Sequence, residues 1–284
     1  MIGSMRDDDA GPDASGPDER ALPEDHESVE AVARYVYGIV PADAADAVDL
    51  GEIGLDGSRV HLFVRGRVGA LVHDCSAHPY DGGEAAAAEW VLAHHRVLQL
   101  AMSRWGSVLP MTFNTIVAPS EGRTADENLL DWLQTENESL RLRVDGLAGK
   151  AEFGLQVSYE PAVILRQVAE QNPEILRMEE EAKTKSAGLA YLGRQEMQRV
   201  LRREVEQRVR ELFTTVYERA RACSDRVNVE KVKHDGSDLK MVANLSCLVA
   251  LDRYPELEAL ADEIAGHEGQ TVRLVGPLPP YSFC

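Results

Sequence analysis

Lysine is scarce in this 284-residue chain, confined to Lys150, Lys183, Lys185, Lys231, Lys233 and Lys240; nearly all other basic residues are arginine. Against 30 Lys and Arg stand 48 Asp and Glu, a formal net charge of −18. A field of that sign repels phosphate backbones and anionic lipid surfaces, which sets aside nucleic acid and lipid membrane as partners. Cys75, Cys223, Cys247 and Cys284 are dispersed with no C-x-x-C pair, so neither a disulfide framework nor a zinc ribbon is signalled. Reduced thiols are expected. No run of about 18 apolar residues occurs, and the N-terminus lacks the basic-then-apolar order of a secretory signal, so a cytoplasmic protein is expected. G-x-S-x-G, P-loop and G-x-G-x-x-G motifs are also missing.

What is present is enough apolar residue, 44%, for two cores of ordinary size. Residues 1–32 are acidic, with Asp7, Asp8 and Asp9 followed by Glu24, Asp25 and Glu27 among Gly and Pro, and predict a disordered tail that cannot offset its ordering entropy. Abundant carboxylates with little lysine suit a surface whose self-repulsion is screened at high salt; an ordinary acidic cytosolic protein is the alternative.

A first domain is expected over 33–148. The run Ala33 to Val40 reads as a strand stopped by Pro41; Val60 to Arg65 and Val68 to Cys75 read as a hairpin around Gly66-Arg67. Glu84 to Trp105 reads as a helix, with Val91, Leu98, Met102 and Trp105 at three- and four-residue steps and Gly106 as its end. Val108 to Val117 reads as one strand in which Pro110 demands an edge or a bulge. A helix follows from an N-cap at Thr124 through Val144.

A second domain is expected over 149–284. It reads as a strand with Phe153, Leu155, Val157 and Tyr159, then helical segments at Pro161 to Lys183 and 186–223. The long helix carries an apolar stripe including Leu201, Val205, Val209, Leu212 and Val216, with Glu204/Arg208 and Glu206/Arg210 paired on its wet side. Val227 to Val232, a His234-Asp235-Gly236 turn, Lys240 to Leu251, a helix opened by Pro255 and a strand Thr271 to Val275 complete it. The fold class is α+β. Strand, helix, strand, strand, helix, strand is the order of a ferredoxin-like sandwich, and the first domain reads as a modified version with its first helix reduced.

Chemistry is thin. His73, Cys75 and His78 offer metal-ligand and nucleophile types, and alternation puts His73 and Cys75 on one strand face, but no third and fourth ligand follows. A metal-binding or small-molecule enzyme using that region is the alternative to a binding protein. His94 and His95 point about 100° apart on a helix and cannot share a metal as an i, i+4 pair does. No catalytic, cofactor or metal residue is assigned. The last residues, Gly276-Pro277-Leu278-Pro279-Pro280-Tyr281-Ser282-Phe283-Cys284, are held extended by proline and end on aromatics, which predicts a docked segment over 276–284. Tyr281 and Phe283 either plug this protein's own core or meet a partner. The candidate protein-binding residues are Leu109, Met111, Phe113, Tyr281 and Phe283.

Tyr35-Val36-Tyr37-Gly38-Ile39-Val40, His94 to Val97 leading into Gly106 to Thr115, Ala190-Tyr191-Leu192 and the closing Gly276 to Phe283 together resemble the gas vesicle protein family GvpL/GvpF, across roughly residues 33–284. Thr112 and Asn114 stand where many relatives have Arg and Gly, and Leu278 where Trp is frequent. The acidic, lysine-poor makeup looks like a halophile's GvpL. The resemblance implies a pair of ferredoxin-like domains and an accessory or minor structural role in gas vesicle assembly. It also implies contacts with the hydrophobic shell protein GvpA and other accessory Gvp proteins, no enzyme activity, and residence in the cytoplasm on the vesicle or its assembly intermediates.

Overall fold

The computed structural model describes residues 32–42, 48–184, 186–232 and 238–284. The acidic segment, apart from Val32, and the His234-Asp235-Gly236 turn lie outside them. Residues 31–284 group as one unit.

The first sheet is antiparallel throughout. Its strands are β1 (Ala33–Pro41), β2 (Asp49–Gly51), β3 (Val60–Arg65) and β4 (Val68–Cys75), and after helix α1 (Glu84–Trp105), β5 (Leu109–Pro110) and β6 (Ile116–Val117). They lie in the order β2-β3-β4-β1-β5, with β6 also paired to β1. The β3–β4 hairpin and α1 take the boundaries that their periodicity predicts, and Gly106 ends α1 in the left-handed region at φ 71°.

β1 is the strand that builds the site. Its register against β4 slips between Val36 and Gly38, a bulge that shifts the phase of the alternation. Tyr35 and Tyr37 face α1, while Val36 and Ile39 face the other way. Gly38 must stay bare: a Cβ there would lie 2.7 Å from Leu98 Cδ2 and 3.0 Å from the Leu109 carbonyl oxygen.

The single strand expected over Val108 to Val117 is two short pieces around a turn. Pro110 has no N–H to extend the ladder, and Asn114 sits at φ 67°, where Thr115 N–H bonds the Thr112 carbonyl (3.1 Å). The piece that holds Pro110 is an edge strand, as that residue requires.

The helix expected from Thr124 to Val144 is likewise two, α2 (Ala125–Thr135) and α3 (Asn137–Gly146). The chain turns at Glu136, beside which Asn137 Nδ2 donates to the Arg65 carbonyl in the β3–β4 turn (2.7 Å). Thr124 forms a full capping box: Glu127 N–H donates to Thr124 Oγ1 (3.2 Å) and Thr124 N–H to Glu127 Oε2 (2.8 Å). Thr124→Ala is expected to cost about 1 kcal/mol in urea denaturation. A loss under a few tenths would show that the cap is redundant.

The second sheet holds β7 (Lys150–Tyr159), then, after helices α4 (Pro161–Gln171), α5 (Pro173–Thr184) and α6 (Ala187–Ala222), β8 (Arg226–Val229) and β9 (Lys240–Ala250), and after α7 (Tyr254–Ala265), β10 (Gln270–Leu278). The order is β10-β7-β9-β8, all antiparallel. The segment Pro161 to Lys183 is broken because Asn172 Oδ1 caps the next helix, accepting from Glu174 N–H (2.9 Å) and Ile175 N–H (3.2 Å), with Pro173 at its start.

α6 spans roughly 54 Å at 1.5 Å per residue. The C-terminal part of its apolar stripe packs on the second sheet: Val216, Ala220 and Cys223 are buried there against α7 and the inner face of β7 and β9, with Val205, Val209 and Leu212 partly buried beside them. The expected wet-side pairs give way to other contacts. Glu204 accepts from Asn172 Nδ2 (3.2 Å) and meets Arg203, while Arg208 lies 4.0 Å from Glu211.

Three apolar clusters hold the fold. One lies under α1 and one under the second sheet's helices. The third, beneath α2 and α3, joins Val36, Ile39, Leu129 and Leu133 to Leu248 of β9 and Phe283 of the C-terminal segment. Both sheets therefore contribute to one core.

Candidate functional site

Two tyrosines of β1 organise the region between the first sheet and α1. Tyr37 hydroxyl accepts from Leu55 N–H (2.9 Å), which leaves its own proton for His73 Nδ1 (2.8 Å); His73 Nε2–H then donates to Tyr80 hydroxyl (2.9 Å). Tyr35 repeats the arrangement. Its hydroxyl accepts from Asn114 N–H (3.2 Å) and donates to His94 Nδ1 (2.9 Å). His94 thus carries its proton on Nε2, a buried nitrogen for which the Met111 carbonyl is the backbone acceptor.

Burial holds both imidazoles down at about 4, so they are neutral at pH 7. Burial holds the phenols of Tyr35 and Tyr37 well above the usual range and pushes Tyr80 up to about 12. Asn114 closes the network by exchanging two bonds with the Tyr80 backbone, at 2.9 and 3.1 Å.

His73 and Cys75 do share a strand face, on the α1 side. They make no reactive centre with His78. Both nitrogens of His73 are taken by tyrosines, burial pushes the Cys75 thiol up to about 11 and keeps it protonated, and His78 is exposed on the turn beyond. Among the described residues no group of three or more His, Cys, Asp and Glu is placed to hold a metal ion. His94 and His95 point apart: His94 turns to Tyr35, and His95 stacks on Tyr281, whose hydroxyl lies 2.9 Å from His95 Nδ1.

The five candidate binding residues divide. Leu109 (1% exposed) and Phe283 (7%) are core side chains of the third cluster. Phe283 lies under the Arg226 guanidinium at 5.2 Å, and the turn before it is pinned by Glu152, which accepts from Ser282 N–H and Oγ (both 2.7 Å). Met111, Phe113 and Tyr281 instead line a cleft of about 550 Å³. Val91 and His94 of α1 form one wall, Trp132 of α2 with Leu140 and Arg143 of α3 the other, and the β5–β6 loop the edge between them.

Sequence reasoning missed Trp132, Arg143 and Asn114. Only Asn114 left a local trace, as a residue type that tolerates the left-handed region.

Fold and site define a mixed α/β protein of two antiparallel sheets and, among the described residues, seven α-helices, with an apolar cleft and no assembled metal centre. The family model for the gas vesicle synthesis protein GvpL/GvpF matches residues 33–284, and the chain belongs to that family. It is similar to gas vesicle protein L of Haloferax mediterranei (28% identical, covering 83% of this chain and 74% of that protein). It is also similar to gas vesicle protein L1 of Halobacterium salinarum (24%, covering 94% and 95%). The fold is shared with crystal structures of GvpF from Anabaena sp. (TM-score 0.66, 18% identical, covering 89% of this chain and 98% of that one) and from Microcystis aeruginosa (TM-score 0.61, 17% identical, 88% and 98%). The relatives carry gas vesicle names rather than enzyme names. No helix among the described residues is long and apolar enough to cross a membrane.

Proposed function

We propose that this chain is an accessory or minor structural protein of gas vesicle assembly. It binds the hydrophobic shell protein GvpA and other accessory Gvp proteins, in the cytoplasm and on vesicle assembly intermediates, and it is not an enzyme. Family membership over residues 33–284 carries the reading. The buried, neutral histidines and protonated thiol, which are poor acids, bases and nucleophiles at pH 7, support a binding role over a catalytic one.

We read the fold as two domains, 33–148 and 149–284, preceded by the acidic tail 1–32. In the second, strands in chain order 1, 2, 3, 4 lie as 4-1-3-2, the order of a ferredoxin-like sandwich. In the first, β1, β3, β4 and β5 repeat that order, with the short 3-10 turn Leu55–Gly57 where the first helix would be.

Deletion of the gene, with complementation by the full chain, tests the role. Loss of vesicles on deletion and co-purification of the tagged chain with GvpA or accessory proteins is the expected result. Normal vesicles without the gene, together with no retention of any vesicle protein, would sink it.

A further inference from the structure

We propose that the cleft between α1, the β5–β6 loop and α3 is a docking site for an apolar segment of a partner protein that carries a carboxylate beside its apolar side chains. The inference deepens the assembly reading and rests on it for where the partner is sought. Three features of the cleft point to this occupant.

The first is shape and lining. At about 550 Å³ the cleft lies within the roughly 300–1,000 Å³ of ordinary binding pockets. Its walls are Val91, Met111, Phe113, Trp132 and Leu140. Aromatic walls supply rigid apolar contact and methionine adapts to irregular side chains, the combination found where protein segments anchor.

The second is charge. The chain has 48 Asp and Glu, yet none lines the cleft. Its one charged side chain is that of Arg143, exposed on the last turn of α3. At the three- and four-residue spacings where helical side chains meet, Arg143 has Ser139, Leu140, Gly146 and Leu147 and no acid, while Glu138 and Asp145 pair with Arg141 (3.1 and 2.6 Å). Arg143 has no ion pair among the described residues; its nearest electrostatic neighbour is the Cys284 thiol. An apolar concavity lined by no acidic side chain, with an unpaired guanidinium at its rim, is complementary to an apolar segment bearing an acid.

The third is the wall beneath. His94 is buried in this wall, its Nδ1 2.9 Å from the Tyr35 hydroxyl and its ring beside the Met111 carbonyl. Tyr281, whose hydroxyl is held by His95, fixes the far end of the cleft.

Overlapping peptides covering the shell and accessory proteins encoded with this chain, labelled and titrated with the purified full chain by fluorescence anisotropy, test the proposal. At least one peptide with Asp or Glu next to large apolar residues is expected to bind. Arg143→Glu should weaken it about tenfold or more, while Arg221→Glu, the same charge change on exposed α6, should shift it less than about twofold. Replacing the peptide's acid by its amide should weaken binding to the parent chain but not to Arg143→Glu, the signature of a direct pair. Arg143 makes no contact that the fold needs, and unchanged melting of the variant verifies this.

The proposal is overturned if no peptide binds, if acid-free peptides bind as well, or if Arg143→Glu binds as the parent does. The two readings fail separately. Intact vesicle proteins retained equally by parent and Arg143→Glu chains would sink the cleft and leave the assembly role. A parent chain that retains no vesicle protein, yet binds a peptide in an Arg143-dependent way, would sink the assembly role and leave the cleft.

Discussion

Acidification from pH 6.5 to pH 5 is expected to remove about 1.5 kcal/mol of stability for each of His73 and His94, while most carboxylates are still ionised. Both side chains are nearly fully buried, and both fall from 6.5 to about 4 on folding, chiefly because burial penalises the imidazolium. The unfolded chain therefore binds more protons between these values. Stability from the two groups is fully present above pH 6.5 and is lost as pH falls toward 4.

The surroundings do not reverse the sign. Asp74 and Asp56 raise His73 and the Met111 carbonyl raises His94, but desolvation outweighs them; His61 and His95 add to the depression. The acids in Arg pairs, Glu263 and Glu268 among them, are lowered below 4.5 and lose their contribution only at more acid pH. Urea denaturation at half-unit steps from pH 7 to 5 reads the slope. His73→Gln and His94→Gln should each start less stable at pH 7 and flatten the profile. A parent chain equally stable at pH 6.5 and pH 5 would show that these rings are not held neutral by the fold.

Removing the ring of Phe283 should be as damaging. Phe283→Ala is expected to cost about 3–5 kcal/mol, the range for buried Phe truncations. Phe283 is 7% exposed, packs among side chains from both sheets and carries the Arg226 guanidinium above it. Phe283→Leu, which keeps much of the volume, should cost about half as much or less. Equilibrium denaturation followed by Trp132 and the other tryptophans reports it. A loss under about 1 kcal/mol for Phe283→Ala would mean that the cluster collapses onto the vacancy and that the segment is a cover rather than a core element.

Elements with one uninterrupted period were legible in the sequence. α1 and the β3–β4 hairpin emerge at the residues their apolar spacing predicts, because glycine marks their ends and nothing inside competes. Elements fail where a single residue with special backbone chemistry falls inside a good pattern. Pro110 and Asn114 split one apolar run into two bridges, and Asn172-Pro173 splits one helical run into a helix and a capped successor.

The candidate site fared similarly. Met111, Phe113 and Tyr281 reach the cleft, but Leu109 and Phe283 alternate into the core, and the split follows from side-chain direction along a strand and a turn. Trp132, His94 and Arg143 are invisible as a set because they sit on three helices joined only by the tertiary fold. That Arg143 makes no ion pair among the described residues while lining the cleft emerges only from the folded chain.

The third cluster has a consequence for biosynthesis. Its α2 and α3 side chains are complete at Leu147, whereas Phe283 is made 136 residues later (283 minus 147). At about 5–20 residues per second this is a wait on the order of ten seconds. Over that interval the part of the cluster built by the first sheet, α2 and α3 lacks Phe283, and for most of it Leu248 as well. A chain growing on the ribosome is therefore most open to chaperones, or to mispairing with a neighbouring copy, at the place that becomes the shared core.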